Sequence, residues 1–299
     1  MRRGSSVDLI LGATILIWAF KVTVTKYVLT HGFQPLAYGA LRYAVATVLA
    51  VGVVLVLERS LRVHGRRAVV YIGLAAGFLL INQTCFVYSL KLTSATTVSL
   101  IMGTTPIFAA IVSSVLGVDR LTGPFWVATA IGFGGVALVA IGSGGSLSSD
   151  LGGDVLALTL SASWACYSVI IAPLMRRYSP YRISAVVLCV MLVPFLGISS
   201  VQLGNQDYGS LRPLVWFCLA YAIVGPLFLT NLLWYTAVHR VGAARATLFA
   251  NIQPFVAAVF AYVILSEHLH WLQVVGGLTI LVGILLERRW RRPPVVPVE

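Results

Sequence analysis

The stretch 95-ATTVSLIMGTTPIFAAIVSSVLGVDRLTGPFWVATAIGFGGV-136 returns as 243-AARATLFANIQPFVAAVFAYVILSEHLHWLQVVGGLTILVGI-284, shifted by 148 residues. Ala95, Leu100, Pro106, Ala109, Ala110, Val115, Leu121, Val127 and Gly135 recur as Ala243, Leu248, Pro254, Ala257, Ala258, Val263, Leu269, Val275 and Gly283. Asp119 falls on Glu267. Nearer each start, at a shift of 146, Asp8, Trp18 and Ala19 recur as Asp154, Trp164 and Ala165. Apolar sequences match each other cheaply, so the matched prolines, glycines and acids carry the argument for a duplicated unit.

Working outward, composition says where the unit lives. Mean hydropathy is +0.94, with 59% hydrophobic and 10% charged residues, against about 25% charged in a soluble domain. Apolar runs near 20 residues read as membrane spans. The net charge of +12 suggests nucleic acid, but the basic residues sit at the ends of runs and form no single polar face. Cys85, Cys166, Cys189 and Cys218 lie inside apolar runs without metal or disulfide spacing, so they read as small apolar residues. Arg2 and Arg3 before an apolar run resemble a signal peptide. The run is too long for one and belongs to the repeat, so it reads as the first span.

Ten spans follow, at about 7–29, 35–57, 68–90, 94–117, 123–142, 152–172, 182–203, 213–238, 243–265 and 270–287. Each must be a helix, because lipid cannot satisfy an open backbone. The expected fold is an all-α polytopic membrane protein, with ten transmembrane helices as two inverted five-helix repeats around a central cavity. Residues 1–146 form the first repeat, 147–292 the second and 293–299 a cytoplasmic tail. Five is odd, so the second copy enters the membrane from the opposite side.

Charge gives the orientation. A cytoplasmic N-terminus puts Arg2, Arg3, Arg59, Arg62, Arg66, Arg67, Arg120, Arg176, Arg177, Arg182, Arg240, Arg288, Arg289, Arg291 and Arg292 inside, and only Lys91 and Arg212 outside. The positive-inside rule therefore places both termini in the cytoplasm. The linker 143–153 carries no Lys or Arg and lies outside. An inverted repeat of this kind is the architecture of alternating-access transporters.

Pro35 with Ala40-Leu41-Arg42-Tyr43, the run NQTCFVYSL at 82–90, Ala95, Ser99-Leu100, Pro106, Glu267 and Gly283 resemble the drug/metabolite transporter superfamily, specifically its ten-span EamA-type exporters. Asp119 departs from the family's usual Glu. The resemblance covers nearly the whole chain and implies two five-helix halves around a central cavity, exporting small solutes across a bacterial-type inner membrane. Within the family the lean is towards amino-acid exporters of the YddG type. Small multidrug relatives use a buried Glu in the first helix. Trp18 and Lys21 stand in that region here, which disfavours a cationic-drug/proton antiporter.

Lys21 shares a helix face with Trp18 and Thr25. A charge at that depth costs at least about 2.5–3.5 kcal/mol, so it faces the bundle or water. It either draws a substrate carboxylate or lines a wet vestibule. Lys26 is close enough to the outer end to snorkel. Arg42 either pairs across the halves or pins a packing contact, and the second reading is preferred. Arg245, at a span start, reads as structural.

Trp164, Tyr167 and Ser168 share a face, as do Asn231, Trp234 and Tyr235. Such aromatic walls suit an amphipathic organic solute or its ammonium group, and equally an interfacial belt. The repeat would set Trp18 and Trp164 across a central space. Asn82, Gln83, Tyr88, Asn251 and Gln253 are polar within lipid depth, as substrate ligands or as helix–helix hydrogen bonds. Pro106 and Pro254 are matched kinks or hinges, and Thr105 and Gln253 before them can satisfy the freed carbonyls. Gly276 and Gly283, with Ala128 and Gly135, predict close packing of the fifth and tenth helices.

The substrate-site candidates are therefore Trp18, Lys21, Asn82, Tyr88, Trp164, Tyr167, Asn231, Trp234 and Gln253, with Pro106 and Pro254 as hinges. No acid falls in mid-span, and no phosphate loop, nucleophile–base pair or metal cluster is present. The expectation is a monomeric exporter of neutral or aromatic amino acids or similar zwitterions, with no cofactor, no metal and no enzyme activity. Drug or other metabolite export is the alternative. A channel or a structural membrane subunit is the reading from another class.

Overall fold

The computed structural model describes residues 3–116, 123–142, 149–230, 233–234 and 252–290. All regular structure among them is helical. The elements are α1 (Arg3–Thr30), α2 (Pro35–Glu58), α3 (Arg66–Leu92), α4 (Ala95–Met102), α5 (Thr105–Val115), α6 (Gly123–Gly142), α7 (Ser149–Ile171), α8 (Pro180–Asn205), α9 (Pro213–Ile223), α10 (Gln253–Leu265) and α11 (Trp271–Trp290). A π-helical stretch, Val224–Leu229, continues α9.

Seven helices among the described residues are long and apolar enough to cross a bilayer, taking Ala95–Val115 as one span. Shorter apolar helices cover Pro213–Leu229, Gln253–Leu265 and Trp271–Leu286. Val56, Val193 and Phe217 are 78%, 73% and 71% exposed; such a surface has no place in water and suits lipid. Asp119, Arg245, Asn231, Tyr235 and Asn251, the basic residues Arg2, Arg120, Arg240, Arg291 and Arg292, and the tail 293–299 lie outside the described residues.

Helix boundaries follow local chemistry. Pro35, Pro180 and Pro213 open α2, α8 and α9, where the missing N–H costs nothing. Ser179 and Ser94 cap α8 and α4 by accepting from the N–H groups of Arg182 (3.1 Å) and Thr97 (3.0 Å). Gly32 turns the chain between α1 and α2 at φ 96°, a conformation that favours glycine.

The fourth span is broken in two. Gly103 and Thr104 interrupt it, and Pro106 sits in the first turn of α5. Pro106 has no N–H to offer the Met102 carbonyl, and Thr105 Oγ1 donates to that oxygen at 2.7 Å. The matched Pro254 likewise lies in the first turn of α10. The two prolines thus open helical segments, where sequence periodicity suggests kinks inside continuous helices.

Contacts sort the loops to two ends. At one end Gln206 Oε1 accepts from the Gln34 N–H (2.7 Å) and Gln202 Oε1 from the Leu36 N–H (2.7 Å). There too, Lys26 Nζ donates to the carbonyls of Leu90 (2.7 Å) and Thr93 (2.8 Å), closing the C-terminus of α3. Glu267, after α10, caps α4: its carboxylate accepts from the N–H groups of Ala95 (2.8 Å) and Thr96 (2.9 Å). At the other end Arg182 and Glu58 form an ion pair at 2.8 Å, with Ser179 donating to the same carboxylate. Tyr178 meets His64 beside them. So α2 and α8 run antiparallel and are tied at both ends.

α6 and α11, which the sequence reading numbers as the fifth and tenth spans, also pack together, as the small-residue pattern predicts. A Cβ on Gly142 would meet Gln273, one on Gly135 would meet Gly276, and one on Gly283 would meet Gly132. Numbers rise on one helix as they fall on the other, so this seam is antiparallel too. Other large interfaces join α3 to α7 and α8, α10 to α1 and α4, and α7 to α4 and α5.

Candidate functional site

Lys21, midway along α1, lays its Nζ 4.6 Å from the centre of the Phe86 ring on α3. The Arg42 guanidinium of α2 lies 5.5 Å from the same ring centre, and 5.2 and 5.0 Å from those of Tyr38 and Tyr43. Aromatic faces attract cations, by about 2 kcal/mol or more when water is excluded. Two like charges therefore share one phenyl ring. Arg42 is 1% exposed, whereas Lys21 is half-buried and keeps an opening.

One side of Arg42 is held by a directed chain. Its Nη2 donates to Gln83 Oε1 at 2.7 Å, Gln83 Nε2 donates to Asn82 Oδ1 at 2.6 Å, and Asn82 Nδ2 donates to the Leu160 carbonyl of α7 at 2.8 Å. A guanidinium has only donors, so Gln83 must turn its oxygen towards it, and each later amide is oriented in turn. Tyr38, under the guanidinium, shares a hydrogen bond of 3.1 Å with Thr25. On the other side the Tyr43 hydroxyl lies within reach of the guanidinium, but Arg42 Nε and Nη1 are buried and make no well-formed hydrogen bond among the described residues. Leaving a buried donor unmatched costs about 1–3 kcal/mol.

No ion pair or hydrogen bond joins either cation to a carboxylate among the described residues. Glu58 is engaged by Arg182, Glu267 caps α4, Asp207 accepts from the N–H of Gly209 in a surface turn, and Asp154 is buried near the start of α7. The site is a cationic cluster walled by aromatic rings, built from α1, α2 and α3 and wired into α7. It can hold an anionic group; it has no acid–base pair for chemistry.

The other candidates fall in separate places. Trp18 does not take Trp164 as its partner: its Nε1 donates to the Pro226 carbonyl in the π-helical stretch at 3.3 Å, and its ring lies 5.3 Å from that of Trp234. Trp164 is 44% exposed and packs on Tyr167, ring centres 5.2 Å apart. Tyr88 accepts from Gln202 Nε2 at 2.9 Å, near the end where α2 and α8 are tied. Gln253 is half-buried in the first turn of α10, beside Pro254. Asn82 has both ends of its amide committed. Asn231 lies outside the described residues.

Sequence reasoning therefore names Lys21 and Asn82 but passes over Arg42 as packing and does not single out Gln83 or Phe86 as site residues. The available signal was depth: Arg42 lies one and a half turns inside its span, too far in to reach water easily.

Comparison with known proteins agrees with this description. The pattern of the EamA-like transporter family matches residues 5–141 and again 151–287. The transporter YyaM of Bacillus subtilis, itself uncharacterized, is 25% identical over 93% of this chain and 91% of its own. An uncharacterized transporter of Archaeoglobus fulgidus is 26% identical over 94% of this chain and 97% of its own. A probable terminal-alkyne amino-acid exporter of Streptantibioticus cattleyicolor is 26% identical over 65% of this chain and 64% of its own. A solved crystal structure shares the fold with a TM-score of 0.66 at 17% identity, covering 96% of this chain and 99% of that one. Two family matches spanning most of the sequence, on a bundle of apolar helices, decide the matter: the chain belongs to the EamA-like transporter family and is a membrane transporter, not an enzyme.

Proposed function

We propose that this transporter exports small carboxylate-bearing organic solutes, amino acids and similar zwitterionic metabolites among them, by alternating access. The observation that carries the reading is Lys21: a mid-helix ammonium, half-buried over Phe86, beside a second cation and without a described acidic partner. A carboxylate is the group such a place attracts. Similarity to a probable amino-acid exporter points the same way.

The architecture of the proposal is ten spans in two inverted copies, 1–146 and 147–292, with both termini in the cytoplasm of the inner membrane, acting as a monomer. Three features support it. The helix pairs α2 with α8 and α6 with α11, each joining equivalent spans, run antiparallel. The contact of α1 with α10 is answered by that of α7 with α4 and α5. The basic residues collect at one set of helix ends. Pro106 and Pro254 open equivalent segments and serve as the hinges of the motion.

The test is uptake of labelled amino acids, other carboxylates and cationic drugs by liposomes containing only this protein, with and without a proton gradient. A carrier shows saturable uptake and counterflow, and Lys21→Ala lowers uptake of carboxylates at least tenfold. Undiminished carboxylate uptake by Lys21→Ala defeats the assignment. Flux without counterflow makes the protein a channel.

A further inference from the structure

We propose that Lys21 and Arg42 form one subsite for two negative charges, so that the preferred cargo is an organic dianion: a short dicarboxylate or an acidic solute of that charge. The subsite is argued from geometry alone; its role in export rests on the reading above.

Three observations carry the inference. Both cations lie within 5.5 Å of the centre of one phenyl ring, close enough to repel each other at low dielectric. A single carboxylate leaves one of them uncompensated. Next, Arg42 presents two buried nitrogens, Nε and Nη1, that make no well-formed hydrogen bond among the described residues, while its remaining nitrogen is fixed by Gln83. A structural arginine in a helix bundle has its donors matched; here half the fork is matched and the other half is left for a ligand. Lys21 makes no hydrogen bond among the described residues and keeps an opening, so an anion can arrive at Lys21 and complete Arg42.

The third observation is asymmetry. With the copies superimposed by sequence, Tyr167 stands where Lys21 does. When α2 and α8 are aligned on their opening prolines, Pro35 and Pro180, Val187 stands where Arg42 does. The repeat as a scaffold therefore does not need either cation. Both stand in the first copy only.

The same accounting weighs against a neutral zwitterion as the best ligand. Its ammonium would enter a pocket holding two positive charges, and none of the nine acids of the chain lies in mid-span to receive it. A dianion has no such conflict. It also needs no coupling ion to leave a cell that is negative inside: each negative charge favours the outside by about 50-fold at 100 mV.

The experiment uses the full chain, purified in detergent, and reads its thermal midpoint against glutarate, butyrate, norvaline and sulfate at equal ionic strength. Glutarate is expected to raise the midpoint at a concentration at least tenfold below butyrate, with norvaline weaker still. Lys21→Met removes the advantage of glutarate over butyrate, and Lys21→Arg keeps it. Arg42→Gln weakens both acids; if that variant does not fold, Lys21→Met decides. Norvaline matching glutarate, or Lys21→Met leaving the glutarate effect intact, overturns the subsite. Sulfate acting as well as glutarate overturns the organic cargo.

Flux into liposomes under a potassium diffusion potential separates this inference from the exporter reading. Glutarate flux follows the sign of the potential. Norvaline flux with no glutarate binding sinks the dianion subsite and leaves the exporter. Glutarate binding with no flux of any solute sinks the exporter and leaves the subsite.

Discussion

Gly135 of α6 and Gly276 of α11 touch backbone to backbone: a Cβ added to either would come within 2.6 Å of the other's carbonyl oxygen. Neither carbonyl can swing aside, because each belongs to its own helix ladder. Gly135→Ala and Gly276→Ala therefore each destabilise the protein, by about 1–3 kcal/mol as overpacking. Gly134, one residue away with nothing within 4 Å, is the control; Gly134→Ala leaves the thermal midpoint in detergent unchanged or raises it slightly.

Glu267 holds the N-terminus of α4 through two N–H groups, those of Ala95 and Thr96. Glu267→Ala removes both acceptors and costs about 0.5–2 kcal/mol, the range for a lost cap. Glu267→Gln keeps one acceptor and loses the charge, so its midpoint falls between wild type and Glu267→Ala. A Gln variant less stable than the Ala variant would count against the capping role.

Thr105 and Pro106 act as a pair. Thr105→Val strands the Met102 carbonyl that Pro106 leaves without an N–H, and costs about 1–3 kcal/mol. In a Pro106→Ala background the restored N–H takes that carbonyl, and the same Thr105→Val change becomes nearly neutral. A double-mutant cycle of midpoints measures the coupling. Additive effects would show that the hydroxyl does not serve the proline.

The amide chain gives a further expectation. Asn82→Leu keeps the volume but removes the acceptor for Gln83 and the donor to Leu160. Gln83 then loses the partner that aims its oxygen at Arg42. The variant is expected to fold with a lowered midpoint and to bind carboxylates several-fold more weakly. Folded protein with unchanged carboxylate affinity would cut this chain out of the site.

What the sequence makes legible is whatever has a local or periodic signature. The apolar runs, the glycine seam of α6 and α11, and the rescue of a freed carbonyl by Thr105 are all written within a few residues of where they act. Lys26 illustrates a half-reading: its depth indicates an outer-end role, but its carbonyl partners Leu90 and Thr93 are 64 and 67 residues away. Arg42 illustrates the illegible part. Nothing next to it distinguishes a packing arginine from a binding one; the difference is made by Gln83 and by a Phe86 ring already claimed by Lys21. The tryptophans mislead for a related reason. Trp18 and Trp164 match in register, but Trp18 is drawn to Trp234 and the π-helical turn around Pro226, which has no signature in the repeat.

The cap that Glu267 places on α4 also has a consequence in time. The carboxylate lies 172 residues downstream of the Ala95 N–H that it satisfies. At about 5–20 residues per second, the ribosome needs roughly 10–35 s to make that intervening chain. Until Glu267 is made, the N–H groups of Ala95 and Thr96 lack this acceptor. The start of α4 is thus completed only by a residue near the other end of the chain.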